Sequence, residues 1–298
     1  MGQSEKRLHT LGTSCHLVVN SDEGSAQDLI ELAGDELARL EGKFSSYEAD
    51  SVTSQINRAA GTGSLTPIDA ETQSLFNYIS VLWKESDQLF DPTVRLLQDC
   101  YDSHGALMAN EQQLHNMLKL VGWSNLRISD GGAHLQNKGM LIDLNSCIRP
   151  YAVDCVMKIL HKNGAGNALV EMDHDVATLG KQADGANWLT GMRFPKGART
   201  GITRIKLNNR GFAVRGDFER SVVVGDERYG RAISPADGHA IPGLLSVAVI
   251  ADNCLTACSA ASVARVMEEQ AGLQWLQDLG FDWLAIDRQL NCHGSLAP

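Results

Sequence analysis

Apolar positions recur at three- and four-residue spacing through the first half of the chain and alternate with polar ones through much of the second. The helical period is clearest over Ser25–Glu41, where Leu29, Ile30, Leu32, Ala33, Leu37 and Leu40 fall on one face. A short helix ends near Asn57. A second long helix is predicted over Asp69–Leu89, started by Pro67 and Asp69 and stopped by Phe90-Asp91-Pro92, and a third over Gln112–Val121. Leu8–Val19 reads as a first strand around Leu11-Gly12-Thr13. Leu126–Ile128 and Ala133–Gln136 read as a hairpin about Asp130-Gly131-Gly132. From residue 165 strands dominate: 168–171, 176–180, 188–194, 202–207, 211–214, 221–224 and 229–233. A continuously apolar strand, Leu245–Ala251, then feeds a helix over Ala257–Gln270. Helices early and antiparallel strands late predict an α+β fold. It is read as one unit, helix-rich over about 1–160 and strand-rich over about 161–298, with a cleft between the two parts.

One stretch does not fit simple periodicity. Met140–Leu144 reads as an apolar strand running through Asn145–Pro150 into a helix whose apolar positions are Tyr151, Ala152, Cys155, Val156, Ile159 and Leu160. A strand that turns straight into a helix offers free N–H groups and the positive end of the helix dipole to an anion. Such loops usually carry Gly so that backbone can approach the ligand, and this one has none. Pro150 is expected in the first helical turn, with Asn145 or Ser146 as the capping side chain.

Composition narrows the partners. The formal charge of −10, with no long Lys/Arg run, argues against nucleic acid and anionic membrane surfaces. No apolar run of spanning length predicts membrane insertion. Seven scattered cysteines without a Cys-x-x-Cys pair read as reduced thiols. With no leader visible at the N-terminus, the chain as written is expected to be cytoplasmic.

Seven stretches in order resemble the ApbE-like FAD:protein FMN transferase family. They are Leu11-Gly12-Thr13; Phe44-Ser-Ser-Tyr47 with Asp50-Ser51 and Ile56-Asn57; Phe90-Asp-Pro-Thr-Val94; Leu141-Ile-Asp143; Tyr151-Ala-Val-Asp154; Gly216-Asp217-Phe218-Glu219-Arg220; and Ser246–Ala251. The resemblance implies the ApbE-like fold and Mg²⁺-dependent transfer of FMN from FAD to a Thr or Ser hydroxyl of an acceptor flavoprotein. It also implies flavin contacts at Tyr47, Asp91, Asp143, Arg149, Asp175 and Asp217, a metal site at Cys258 and Ser262, and catalytic positions at Arg149 and Arg231.

Several of those positions depart from the family pattern. Val52 stands where Glu is usual, and Asn145-Ser-Cys-Ile-Arg149 replaces a Gly-rich loop with Lys. Asp173-His174-Asp175 replaces Gly-Gly-Asp, and Val214-Arg215 replaces Thr-Ser. Arg231 replaces the His of His-x-x-Asp-Pro, and Cys258 and Ser262 replace the metal-binding Asp and Thr. A soft thiol suits Mg²⁺ poorly, and an Arg cannot titrate as His does. These substitutions predict weak metal binding, an eroded catalytic centre and an anionic ligand smaller than FAD. An active flavin transferase stays open, and the alternative is a non-catalytic pseudoenzyme or scaffold that binds a partner protein or a small anionic ligand. Arg149, Arg215 and Arg231 are expected to make the cleft cationic. Each feature also has a structural reading: Asp173–Asp175 as a solvated turn, Cys254 and Cys258 as buried thiols, Asp91 as part of a helix stop, Tyr47 as cover for a core edge.

Overall fold

The computed structural model describes residues 2–21, 25–102, 105–129, 131–193, 202–216, 221–224 and 227–297. The helix-rich part contains β1 (Gly2–Thr10), β2 (Thr13–Ser21), α1 (Ala26–Phe44), α2 (Val52–Arg58), β3 (Thr66–Pro67), α3 (Ala70–Glu85) and α4 (Glu111–Leu118). It continues through β4 (Leu126–Ser129) and β5 (Gly132–Leu135) into α5 (Asn145–Lys162). The strand-rich part runs β6 (Asn167–Met172), β7 (Asp175–Leu179), β8 (Trp188–Arg193), β9 (Ile202–Leu207), β10 (Gly211–Gly216), β11 (Val222–Val224), β12 (Glu227–Tyr229) and β13 (Ser246–Ala251). It closes with α6 (Cys254–Val266), α7 (Glu269–Leu279), β14 (Asp282–Ile286) and β15 (Cys292–His293).

The α+β architecture is built on one antiparallel sheet of order β1-β2-β6-β7-β10-β13-β14-β15. The two parts of the sequence therefore share a sheet, since β1 pairs with β2 and β2 pairs with β6. Strand alternation sends side chains to two different cores. Leu17 and Val19 face the large core under α1, α3 and α5, and Val247, Val249 and Ala285 face the core under α6 and α7. On the opposite face Val18, Phe212, Ala248 and Leu284 pack with Trp188, Met192, Ile205 and Leu207 of the β8–β9 hairpin. Burial on both faces explains why β13 is apolar at nearly every position.

The predicted helices form within a few residues of their expected bounds. Ser25 caps α1, Asp69 caps α3, and Asn110 with Gln113 forms a capping box on α4. Leu8–Val19, read as one strand, is instead a hairpin in which Leu11 (φ 50) and Gly12 (φ 72) form the turn. A two-residue turn with both φ positive matches strand twist, although Leu pays for that geometry. Glu41 holds it, with Oε1 accepting from Leu11 N at 2.6 Å and Oε2 from Thr10 Oγ1 at 3.0 Å.

The Met140–Pro150 expectation needs more correction. Residues 140–144 form no strand; Asp143 N donates to Pro92 O at 2.9 Å, tying this connection to the Phe90–Pro92 corner. α5 begins at Asn145, so Pro150 is its sixth residue rather than part of its first turn. Neither Asn145 nor Ser146 caps the helix. Leu144 is the N-cap residue, without a side-chain bond, and Asp143 Oδ1 accepts from Asn145 N at 2.9 Å. A proline this deep removes the N–H that would bond the carbonyl of residue 146. That carbonyl finds a different partner, described below.

α5 and α6 are joined by Asp154, whose two carboxylate oxygens each accept at 2.8 Å, from Cys254 N and Leu255 N. With Asn253 Oδ1 taking Thr256 N, the first turn of α6 has its donors satisfied. Gly211 permits the close approach of this helix start to β10, since a Cβ there would lie 2.1 Å from the Asn253 carbonyl carbon.

Burial pushes the Asp154 carboxyl up to about 6, against the two backbone N–H bonds, and Asp175 adds to the rise. A folded-state pKa above the unfolded one means that the folded chain binds the extra proton between these values. Stability from this group is therefore fully present below about pH 4 and lost as pH rises through 6. Asp154→Asn should abolish a decline of about 3 kcal/mol at most between pH 4 and 6, read from urea unfolding of both proteins across that range.

Candidate functional site

The antiparallel register brings two oppositely charged side chains together beneath the helices. Asp175 pairs with Ala213 across β7 and β10, so Arg215 is the next residue on that same face. Arg215 Nη2 lies 2.8 Å from both Asp175 oxygens, and only Oδ2 accepts with hydrogen-bond geometry. The same nitrogen is 2.7 Å from Cys258 Sγ on α6, and Nη1 donates to Val214 O at 2.8 Å. Cys258 in turn donates its S–H to Ser146 O at 3.2 Å, the carbonyl that Pro150 leaves without a helical donor. Ser262, one turn along α6, has its hydroxyl 3.7 Å from the sulfur.

The charges in this cluster follow from burial. Desolvation pushes the Cys258 thiol up to about 12, outweighing the pull of Arg215, so it is neutral near pH 7 and free to donate. Burial also pushes Asp175 upward, and Arg215 opposes it. A guanidinium keeps its proton in a protein, and its contact at 2.8 Å favours the ionised form of the carboxyl. Cys147 and Cys254 are buried and thiol-form as well, in keeping with the structural reading of the cysteines.

The other predicted residues are dispersed. Arg149 lies at the β1–β2 turn: its Nε donates to Leu11 O at 3.2 Å. Nη2 of Arg149 and Cε2 of Tyr47 stand 3.7 and 4.0 Å from where a Gly12 Cβ would be. Tyr47 is 81% exposed, so it covers no core edge and presents a free aromatic face. Asp143 is engaged at the start of α5. Asp91 is buried, with Oδ1 accepting from Thr93 N and Oγ1 and Oδ2 from Trp123 N. Its bonds are those of a corner, as the helix-stop reading expects. Asp217, with the rest of 217–220, lies outside the described residues.

Arg231 belongs to a separate feature. It lines a cleft of about 880 Å³ with Arg95, Tyr101, Asp102, Tyr229 and His239, a size suited to a small ligand. The loop 231–240 is pinned by Ser234 N to His239 O at 2.8 Å and by Tyr101 Oη to Gly238 O at 2.6 Å. Arg149 and Arg215 do not line this cleft, so the three arginines are not brought together as expected. Asp99 and Asp102 also line it and offset its two arginines, which makes it mixed rather than cationic. Asp173 and His174 form the β6–β7 turn with exposed side chains, Asp173 at φ 58, and so fit the solvated-turn reading, whereas Asp175 does not. Sequence reasoning missed Tyr101 and His239, which carry no spacing signal. It also missed the Ser146 carbonyl, which the Pro four residues later could have flagged.

The donor set around Cys258 does not fit Mg²⁺. A small hard ion needs carboxylate or phosphate oxygens in an octahedron. Here a neutral thiol holds the expected carboxylate position, and a guanidinium already engages the one carboxylate present. Among the described residues Glu36, Glu71 and Cys155 could also gather an ion, but Arg39, Lys43 and Tyr151 already bond those acids.

The ApbE family matches residues 11–284 of this chain. The FAD:protein FMN transferase of Haemophilus influenzae is 25% identical over 280 residues, covering 89% of this chain and 81% of that protein. The one from Vibrio cholerae is 23% identical, covering 80% and 72%. The ApbE protein of Thermotoga maritima superposes with a TM-score of 0.81 at 26% identity, over 99% of this chain and 97% of its own. The flavin transferase ApbE of Vibrio cholerae shares the fold at a TM-score of 0.86 and 21% identity, over the same fractions.

Since Asp91 bonds three donors inside the protein, its removal strands two buried backbone N–H groups. Asp91→Ala should cost about 2–4 kcal/mol in urea unfolding. A loss below about 0.5 kcal/mol would mean that the corner does not depend on it.

Proposed function

This chain belongs to the ApbE family, and from that premise we propose that it is a flavin-nucleotide-binding relative of the FAD:protein FMN transferases that does not itself transfer FMN. The observation that carries this reading is Arg231 at the wall of an open cleft, where the family resemblance expects a histidine. Transfer of a phosphoryl-linked group to a hydroxyl requires that the hydroxyl lose its proton. A histidine accepts that proton near neutral pH; a guanidinium, charged throughout, does not. What a guanidinium does well is hold a phosphate through charge-assisted hydrogen bonds.

Binding and catalysis therefore separate. Arg231, Tyr101, Tyr229 and His239 supply a cation, aromatic faces and a ring nitrogen to a nucleotide, and the cleft volume is ample for one. Tyr47 offers a further aromatic face beside Gly12 and Arg149. The metal donor set is unsuited to Mg²⁺, which works against transfer from a second side. An acceptor flavoprotein is the partner class this reading retains, docked without modification.

Two measurements test it. FAD at one hundred times its dissociation constant should stabilise the protein by about 2.7 kcal/mol, several degrees in melting temperature. Arg231→Ala should reduce that shift at least by half. Incubation with FAD, Mg²⁺ and an acceptor flavoprotein domain should leave the acceptor's intact mass unchanged. An acceptor that gains the mass of FMN overturns the loss of transfer. A melting temperature indifferent to FAD, FMN and AMP overturns the binding half and leaves a scaffold.

A further inference from the structure

The surroundings of Arg215 have the arrangement of a filled cation site. Four elements meet at the cluster that it forms with Cys258. β7 supplies the Asp175 carboxylate, whose Oδ1 has no hydrogen-bond partner; α5 supplies the Ser146 carbonyl; α6 supplies Cys258 and the Ser262 hydroxyl; β10 supplies the guanidinium itself. A carboxylate, a main-chain carbonyl and a hydroxyl make an oxygen set of the kind that holds a hard cation. The carbonyl is left to the Cys258 S–H because Pro150 has no N–H to give it.

We propose that Arg215 is the resident cation of this site, filling with its own guanidinium the place a divalent ion takes beside positions 258 and 262 and making the protein metal-independent. Charge is the reason. Asp175 is already bonded by the Arg215 guanidinium, which also contacts the Cys258 sulfur, so the one carboxylate here has its cation in place. A divalent ion would find a thiol in place of a carboxylate and a fixed like charge in bonding range of the same donors. The planar guanidinium serves the carboxylate, the sulfur and the Val214 carbonyl at once.

Cys258→Asp alone therefore makes no divalent-ion site, because Arg215 takes the new carboxylate in a further charge-assisted bond. Only removal of the guanidinium as well should open one. The test uses the full chain as wild type, Cys258→Asp, Arg215→Ala and the Arg215→Ala/Cys258→Asp double variant. Mn²⁺ binding is read by paramagnetic resonance of the free ion, and MgCl₂ is probed by its effect on melting temperature.

Wild type and Cys258→Asp should bind Mn²⁺ no better than millimolar and melt identically with and without Mg²⁺. Arg215→Ala should melt lower than wild type, since it leaves Asp175 buried and unpaired, and added methylguanidinium should restore part of the loss. The double variant should bind Mn²⁺ at least tenfold more tightly than either single variant, and Mg²⁺ should raise its melting temperature. Micromolar Mn²⁺ binding by wild type overturns the proposal, as does a Cys258→Asp protein that gains as much affinity as the double variant. A folded double variant indifferent to both ions overturns it too. Should the Arg215 variants fail to fold, wild type and Cys258→Asp decide alone: tight Mn²⁺ binding by either refutes, and millimolar binding by both supports. None of these readouts involves flavin, so they stand or fall apart from the reading of the cleft.

Discussion

The ion pair between Asp175 and Arg215 is the constraint around which the centre of this protein is arranged. Both charges sit on the helix-covered face of the sheet, Asp175 almost fully buried. Desolvating two such groups costs several kcal/mol each, which their attraction repays only with good geometry and further hydrogen bonds. The geometry comes from register, since Arg215 follows Ala213, the direct partner of Asp175, on one face. The further bonds come from Val214 O and from Cys258. Losing either charge would strand the other, so β7, β10 and α6 are bound to one another through a polar centre inside otherwise apolar packing.

Much of the fold is legible along the chain because local and tertiary preferences agree. Ser25, Asp69 and Asn110 precede amphipathic runs and cap the helices that follow. Leu245–Ala251 reads as a buried strand and is one, packed between two layers. The misreadings occur where tertiary contacts override local signals. Leu11 takes a positive φ that its side chain disfavours because Glu41 holds both the turn amide and the neighbouring hydroxyl. Pro150 sits within α5, against its usual first-turn preference, because the carbonyl it orphans is bonded from another helix.

The candidate site was legible in part of its membership and not in its connections. Arg149, Arg215 and Arg231 share a charge and each falls on a stretch with family resemblance, yet they serve a turn, a buried pair and a cleft wall. Residue type cannot distinguish these uses, since what separates them is the surroundings into which the fold places each guanidinium. Asp91, Asp143 and Asp154 show the same limit. Each could serve a ligand by chemistry, and each is occupied with backbone N–H groups at a corner or a helix start.

Pro150, Cys258 and Arg215 look like unrelated oddities in sequence: a proline inside a helix, a thiol where an acid is expected, an arginine in a buried strand. In the structure each supplies what the next requires. The proline frees the Ser146 carbonyl, and the neutral thiol donates to that carbonyl while its sulfur accepts from the guanidinium. An aspartate at 258 would have two faults in this setting: it has no proton to give Ser146 O, and it adds a second buried negative charge. A residue with an N–H at position 150 would take the carbonyl into its own helix and leave the thiol without that acceptor. The three residues thus make a self-consistent alternative to an ion-filled centre. Buried polar clusters are tolerated when their donors and acceptors are matched, and this one is matched almost throughout, Asp175 Oδ1 excepted.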